Sequence, residues 1–239
     1  MQYMGGKHYS AKKIALVLEP YLALGGDFYE PFCGALHATL AINPYVRGSV
    51  YLSDGFKDLV DLWVAVRDGF SMPAITKSEY TELRNAEASP IRTAAGFGLS
   101  FSGIWFGSFV EDRPQYSKYP LQALNRSFDK RRDLLRKVRI SHCDYSEIQP
   151  KRGDVVYCDP PYLGTAPYAG LPLFDHDRFW SWVRKTSSEG VHVFVSEYSA
   201  PEDFVHIWEQ KLTSRIKTSV NRSGTTHFAV ERLWTRPPT

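Results

Sequence analysis

The sequence predicts an α/β protein: a mixed sheet wound from alternating strands and helices, closed by a C-terminal antiparallel hairpin and interrupted by a mostly helical insertion. Three observations carry this. Short runs of strand-forming residues alternate with amphipathic stretches along most of the chain. Near the end, Lys211 to Val220 and His227 to Trp234 flank Ser223-Gly224, a hairpin-turn signal. Between about 73 and 135 the alternation stops, and the Gly-aromatic run from Gly96 to Gly107 suits an inserted lobe better than a sheet strand. The chain has 239 residues, of which 43% are hydrophobic. That suffices for one core, assigned to 1–72 and 136–239, with 73–135 inserted.

A first helix is expected from near Ser10 to Leu24, stopped by Gly25-Gly26. Asp27 to Cys33 reads as a strand, Ala35 to Ile42 as a helix and Ser49 to Ser53 as a second strand. Leu59, Leu62, Trp63 and Val66 recur at helical spacing within Phe56 to Val66. Thr76-Lys77-Ser78-Glu79 is a capping-box signal opening another helix. Val138 to Cys143 and Asp154 to Cys158 are expected strands, Phe179 to Thr186 a helix and Val191 to Ser196 a strand. Ser199-Ala200-Pro201-Glu202 is expected to open a further helix.

Composition excludes several classes. No window approaches ~18 uninterrupted apolar residues, so no membrane span is expected. The start, Met1 to Lys7, carries no apolar signal region, which points to a cytoplasmic protein. Cys33, Cys143 and Cys158 fit neither a disulfide framework nor a zinc spacing and read as reduced structural thiols. The histidines show no metal-ligand spacing, so no metal is expected. The net charge of +3 is small but uneven. Arg126 to Arg139 holds seven basic residues, Lys130, Arg131 and Arg132 among them, against Asp129 and Asp133. The tail from Lys211 to Arg236, with Arg222, holds six against Glu231 alone. Charge by itself reads equally as a solvated helix face with a basic tail, or as a phosphate-binding surface.

The strongest chemical signal is Val155-Val156-Tyr157-Cys158-Asp159-Pro160-Pro161-Tyr162. An apolar strand ends there in a carboxylate, two prolines and an aromatic ring. Ligands of open α/β sheets bind beyond the carboxyl ends of strands. Two prolines supply no backbone N–H and leave a rigid loop of carbonyl acceptors. A carboxylate and a carbonyl that accept both N–H bonds of an aromatic amino group favour a pyramidal nitrogen with a localised lone pair. Such a nitrogen can attack a methyl group in line, and Tyr162 offers a face on which a base stacks.

Asp159-Pro160-Pro161-Tyr162 resembles the catalytic motif of amino-group DNA methyltransferases. Three further segments are similar to the adenine-specific group that includes the GATC-methylating Dam enzymes and their phage-encoded relatives. Tyr3-Met4-Gly5-Gly6-Lys7 matches its aromatic-x-Gly-Gly-Lys motif. Glu30-Pro31-Phe32-Cys33-Gly34 matches its Glu-Pro-Phe-x-Gly cofactor turn, and Leu52-Ser53-Asp54 its ribose-binding strand end. The order of motifs is the α-type arrangement, and the resemblance spans roughly 1–66 and 138–235. It implies a class I, Rossmann-like S-adenosylmethionine-dependent fold. The implied reaction is site-specific methylation of the exocyclic N6 of an adenine flipped out of double-stranded DNA.

Each match has a physical role beside it. The glycine of the turn lets backbone approach a ligand, although a plain tight turn would look the same. Asp54, about twenty residues on, has the spacing of an acid that accepts ribose hydroxyls; alone it reads first as a helix N-cap. Lys7 is expected to reach the cofactor's carboxylate, with Tyr3 beside it. Asp144-Tyr145 is placed to bond and flank the cofactor's adenine, or to form a simple turn. Trp105, Phe106, Phe109, Tyr116 and Tyr119, interleaved with Arg113 and Lys118, suit a DNA-reading or base-gap-filling lobe, or a small apolar mini-core. Phe174 to Trp182 and Ser196-Glu197-Tyr198 also resemble phage members.

Two features depart from the family. Leu36 stands where a second Gly is usual, and its side chain is expected to crowd the methionine end of the cofactor. The Arg-x-Asn and Phe-Asn-Val-Pro pattern of GATC-specific members is missing, so GATC specificity does not carry over. Neither a recognition site nor a companion restriction enzyme follows from these residues. The alternatives are an RNA or other amino-group methyltransferase, and a DNA-binding protein that keeps the fold without activity.

Overall fold

The computed structural model describes the chain except residues 2, 4, 114–117, 165–172, 214–227 and 238–239, and the side chains of 212, 213, 228 and 229. Among the described residues, one sheet gathers β1 (Phe28–Glu30), β2 (Val50–Asp54), β3 (Arg139–His142), β4 (Val155–Cys158), β5 (His192–Glu197), β6 (Val205–Thr213) and β7 (Phe228–Thr235). Their order is β3-β2-β1-β4-β5-β7-β6. The first five strands are parallel, and β7 runs antiparallel between β5 and β6. This is the class I, Rossmann-like S-adenosylmethionine-dependent methyltransferase architecture, with the C-terminal hairpin the sequence predicts.

The helices are α1 (Ala11–Leu22), α2 (His37–Ile42), α3 (Lys57–Arg67), α4 (Lys77–Leu83), α5 (Pro90–Gly98), α6 (Pro120–Leu135) and α7 (His176–Ser188). β4 explains the layering. All four of its residues are buried, so it reads as an uninterrupted apolar run rather than an alternation. Val155 and Tyr157 face the cluster built with α1, α2, α3, α5 and α6. Val156 and Cys158 face the cluster built with α7 and Tyr145. Asp159 therefore leaves the sheet at its carboxyl edge, between two packed layers.

The segment 73–135 is helical, as expected, but it shares the main core. α5 and α6 both pack on α3, and Ala95, Phe97, Leu124 and Phe128 belong to the same cluster as Leu59 and Trp63. The glycines of the Gly-aromatic run serve this packing. A Cβ on Gly96 would lie 2.7 Å from the rings of Trp105 and Phe106, and one on Gly98 would lie 2.6 Å from Leu124. The capping box at Thr76 forms as the sequence predicts. No helix follows Ser199; the chain turns at Pro201 and enters β6 at Val205, six residues before the expected strand. The alternating Val205-His206-Ile207-Trp208 pairs with β7, and that pairing outweighs the local capping signal. Ser223-Gly224 lies outside the described residues.

Candidate active site

At the end of β4, Asp159 meets a charge cluster assembled from three parts of the chain. Lys7 Nζ, 8% exposed, lies 2.6 Å from Asp159 Oδ1 and 3.3 Å from Glu231 Oε1. The Tyr162 hydroxyl donates to Glu231 at 3.2 Å, and its ring lies under Lys7, 4.8 Å from Nζ to the centroid. Tyr198 meets the same ring edge-on. Burial pushes the Asp159 carboxyl up to about 6; Lys7 pulls it down and Glu231 pushes it up further. Burial also works against the Lys7 ammonium, but Asp159 and Glu231 outweigh it and hold its pKa above the ordinary value. Pro160 is buried and supplies no N–H, so the loop after Asp159 presents acceptors. Lys7 was expected at a cofactor carboxylate; the structure sets it instead on Asp159 and Glu231, which offer a buried ammonium two countercharges.

The turn after β1 packs against the N-terminal segment that carries Lys7. Gly34 takes φ 47°, and a Cβ there would lie 3.3 Å from the Tyr3 ring. Gly6 is equally confined, since its Cβ would lie 2.7 Å from His37 Nδ1. Asp54 closes β2 and accepts from the Gly34 and Phe56 N–H groups, each at 2.9 Å. It thereby clamps the turn to the start of α3 with two of its roughly four lone-pair sites. Burial raises its pKa. Glu30, 2% exposed, bonds the Thr39 hydroxyl, and burial pushes its carboxyl up to about 8. The Thr39 hydroxyl donates to it inside the protein. Pro31 is buried, whereas Phe32 is half-buried against Tyr145, Phe174 and Phe179.

Leu36 corrects an expectation. It takes φ 60°, and its side chain is fully buried in the main core. Tyr3 packs on Phe97 at 4.8 Å between centroids and covers Gly34. Asp144 accepts from Ser146 and from Arg178, 2.8 Å away, and caps a short turn of 3-10 helix. The Tyr145 ring is 4% exposed among Phe32, Phe179 and Trp182. So enclosed, it cannot flank a ligand as expected; Phe32 is the more open ring.

The expected DNA contacts divide sharply. Lys130 and Arg113 are exposed. Arg131 is 3% exposed, and its guanidinium donates to the Ala35 carbonyl and to the Ser127 carbonyl and hydroxyl. Burial lowers its pKa to about 10. Arg132 donates to the carbonyls of Val66 and Phe70 and pairs with Asp129. Both arginines are internal struts joining α6 to the turn after β1 and to the end of α3, and the phosphate role expected for them is corrected. Phe106 is buried, and Trp105 packs on Phe56, Phe97 and Arg92, so the mini-core reading holds for both. Among the described residues of this region, the exposed large apolar or aromatic groups are Phe101, Ile104 and Tyr119. Arg222 and Tyr116 lie outside the described residues.

Sequence reasoning missed Glu231 and His37, and met Glu197 only within a segment resembling phage members, with no role given to it. Glu231 was counted only as a charge in the basic tail, yet it alternates with Leu233 on the buried face of β7. His37 Nδ1 is buried without a hydrogen-bond partner against Gly6, and burial together with Arg131 lowers its pKa to about 3. Glu197 ends β5 and accepts from the Leu163 N–H, tying down the loop after Tyr162. Cys33, Cys143 and Cys158 are free thiols. Among the described residues no group of His, Cys, Asp or Glu is placed to hold a metal, and no helix is long and apolar enough to cross a membrane.

Among solved structures, the Escherichia coli chain yhhF is similar over 96% of this chain and 86% of its own, with a TM-score of 0.43 and 8% identity. An rRNA methylase from Streptococcus thermophilus is similar over 95% of each chain, with a TM-score of 0.42 and 8% identity. At such identities neither says which acceptor this chain methylates. The family model of D12 class N6 adenine-specific DNA methyltransferases matches residues 111–223, which assigns just under half of the chain, including Asp159-Pro160-Pro161-Tyr162, to that family.

Proposed function

We propose that this protein is a site-specific DNA adenine-N6 methyltransferase that uses S-adenosylmethionine. The observation that carries the proposal is the Asp159 cluster: a buried carboxylate at the carboxyl edge of the sheet, followed by a donor-free proline loop and an aromatic ring, and balanced by Lys7. When bound, S-adenosylmethionine supplies an electrophilic methyl group on a sulfonium. The donor set fits such a ligand: Asp54 keeps lone pairs for two ribose hydroxyls, and His37 Nδ1 is an unsatisfied polar atom beside Gly6. Phe32 would flank the adenine of the cofactor, and Asp144, held by Arg178, would accept from its amino group.

Asp159 and the Pro160 carbonyl would accept the two N–H bonds of the target amino group. So held, the nitrogen lone pair would be localised and presented to the methyl group that bound S-adenosylmethionine would supply. The excess N–H proton leaves along the bond to Asp159. That carboxylate must be ionised to accept, which it is above about pH 6. The target base must leave the helical stack to reach so enclosed a group, and Tyr162 offers it a ring face. Lys130 and Arg113 remain as exposed cations for phosphates.

The test is modified-base sequencing of DNA from cells expressing the wild type or Asp159→Ala. N6-methyladenine at one motif, present only with the wild type, is the expected result. Methylated RNA with unmethylated DNA would move the acceptor to RNA, and no methylation of either would end the proposal.

A further inference from the structure

Glu231 has no part in the four motifs, yet it sits against the reacting carboxylate. β7 runs antiparallel to β5 with Arg232 opposite Glu197, so its first half crosses the carboxyl edge of the sheet. Successive side chains of a strand alternate faces. Arg232 turns out to Glu209 and the Tyr198 carbonyl, while Glu231 turns in and is 3% exposed. Its described partners are Lys7 Nζ and the Tyr162 hydroxyl. A buried carboxylate is costly unless it is paired, so this one persists because it serves the cluster.

We propose that Glu231 is a positioning residue that holds Lys7 and Tyr162 so that Asp159 is free to accept the target amino group. The inference rests on the methyltransferase reading above. With Asp159 as its only countercharge, the Lys7 ammonium at 2.6 Å would compete directly with the substrate N–H for the same oxygens. A second carboxylate 3.3 Å from Lys7 gives the ammonium somewhere else to rest. Lys7, Asp159 and Glu231 together carry one net negative charge, which an arriving sulfonium neutralises. The hydroxyl bond from Tyr162 to Glu231 fixes the ring whose face would meet the base.

The groups facing Asp159 define what a charge change does. Lys7 and the Tyr162 hydroxyl lower its pKa, and Glu231 raises it. Glu30 from β1 and Glu197 from β5 are further carboxylates that couple to Asp159, and Tyr157 from β4 lies in the same field. Removing the Glu231 charge commits Lys7 wholly to Asp159, so the carboxyl should titrate at lower pH while becoming a poorer acceptor.

The experiment compares wild type, Glu231→Gln and Glu231→Asp. Single-turnover methylation across pH should be about tenfold or more slower in Glu231→Gln, with the acid limb moved to lower pH and the Kd for S-adenosylmethionine little changed. Glu231→Asp, which keeps the charge, should restore the acid limb. Carbon-13 NMR of the Asp159 carboxyl in the free protein gives the same titration without any substrate. A downward shift there in Glu231→Gln supports the positioning role even if the wild type methylates no adenine in DNA, an outcome that would sink the proposed function alone. An unmoved Asp159 titration in folded Glu231→Gln overturns the inference. So does an unchanged rate profile. If Glu231→Gln does not fold, Glu231→Asp carries the test through its rate: with the carboxyl one methylene short of Lys7, slower turnover at a wild-type acid limb supports the inference, and an unslowed rate or a moved acid limb overturns it.

Discussion

Replacing Lys7 with Met keeps the bulk of the side chain and removes the ammonium shared by Asp159 and Glu231. The magnitude follows from the carboxyl it neutralises. Asp159 titrates at about 6 rather than 3.8, and each unit is worth about 1.4 kcal/mol, so holding this acid in the fold costs about 3 kcal/mol at pH 7. Because the folded pKa is raised, that cost is absent below about pH 4, grows as pH rises, and is complete above about pH 6. Without Lys7 the pKa climbs further, and the cost keeps growing past pH 6 by up to about 1.4 kcal/mol per unit. The deficit of Lys7→Met relative to the wild type should therefore widen by up to about 3 kcal/mol between pH 6 and pH 8, read from urea unfolding at the two pH values. The acid limb of kcat/KM should move upward, because Asp159 is now protonated where it should accept. An acid limb still at about pH 6, with a stability difference that does not change with pH, would refute the reasoning.

Two further outcomes separate side chains that face the ligand from those that build the fold. Leu36→Gly relieves a left-handed residue worth about 1 kcal/mol but empties a fully buried leucine site worth about 2–5 kcal/mol, so net destabilisation should win. Calorimetry should find affinity for S-adenosylmethionine within about twofold of wild type; a tenfold gain at unchanged stability would put Leu36 back against the cofactor. Arg131→Met should lower stability by roughly 1–3 kcal/mol by stranding the Ala35 carbonyl, and leave the salt slope of duplex binding intact. Lys130→Ala should reduce that slope by about 0.9, and the opposite pattern would restore Arg131 to the DNA surface.

The sheet was legible where one physical cause acted alone. Val155 to Cys158 is apolar on both faces and ends at two prolines, so the strand and the place of Asp159 at its carboxyl end follow from the sequence. β6 was misplaced because Ser199 to Glu202 carries a local helix-start signal, and pairing with a strand more than twenty residues away overrode it. Charge counting misled most. Arg131 was read with its basic neighbours, yet Leu124, Phe128, Arg131 and Leu135 fall on one buried stripe of α6. Glu231 was read as part of a basic tail, yet it shares the buried face of β7 with Leu233. In both, the hydrophobic period already says that a charged group goes inside, and a charge inside requires a partner. What the period does not contain is the partner: Ala35 is 96 residues from Arg131, and Lys7 lies at the other end of the chain from Glu231. The demand for a partner is local and the partner is topological, which is why the Asp159 carboxylate was legible in sequence and the groups that surround it were not.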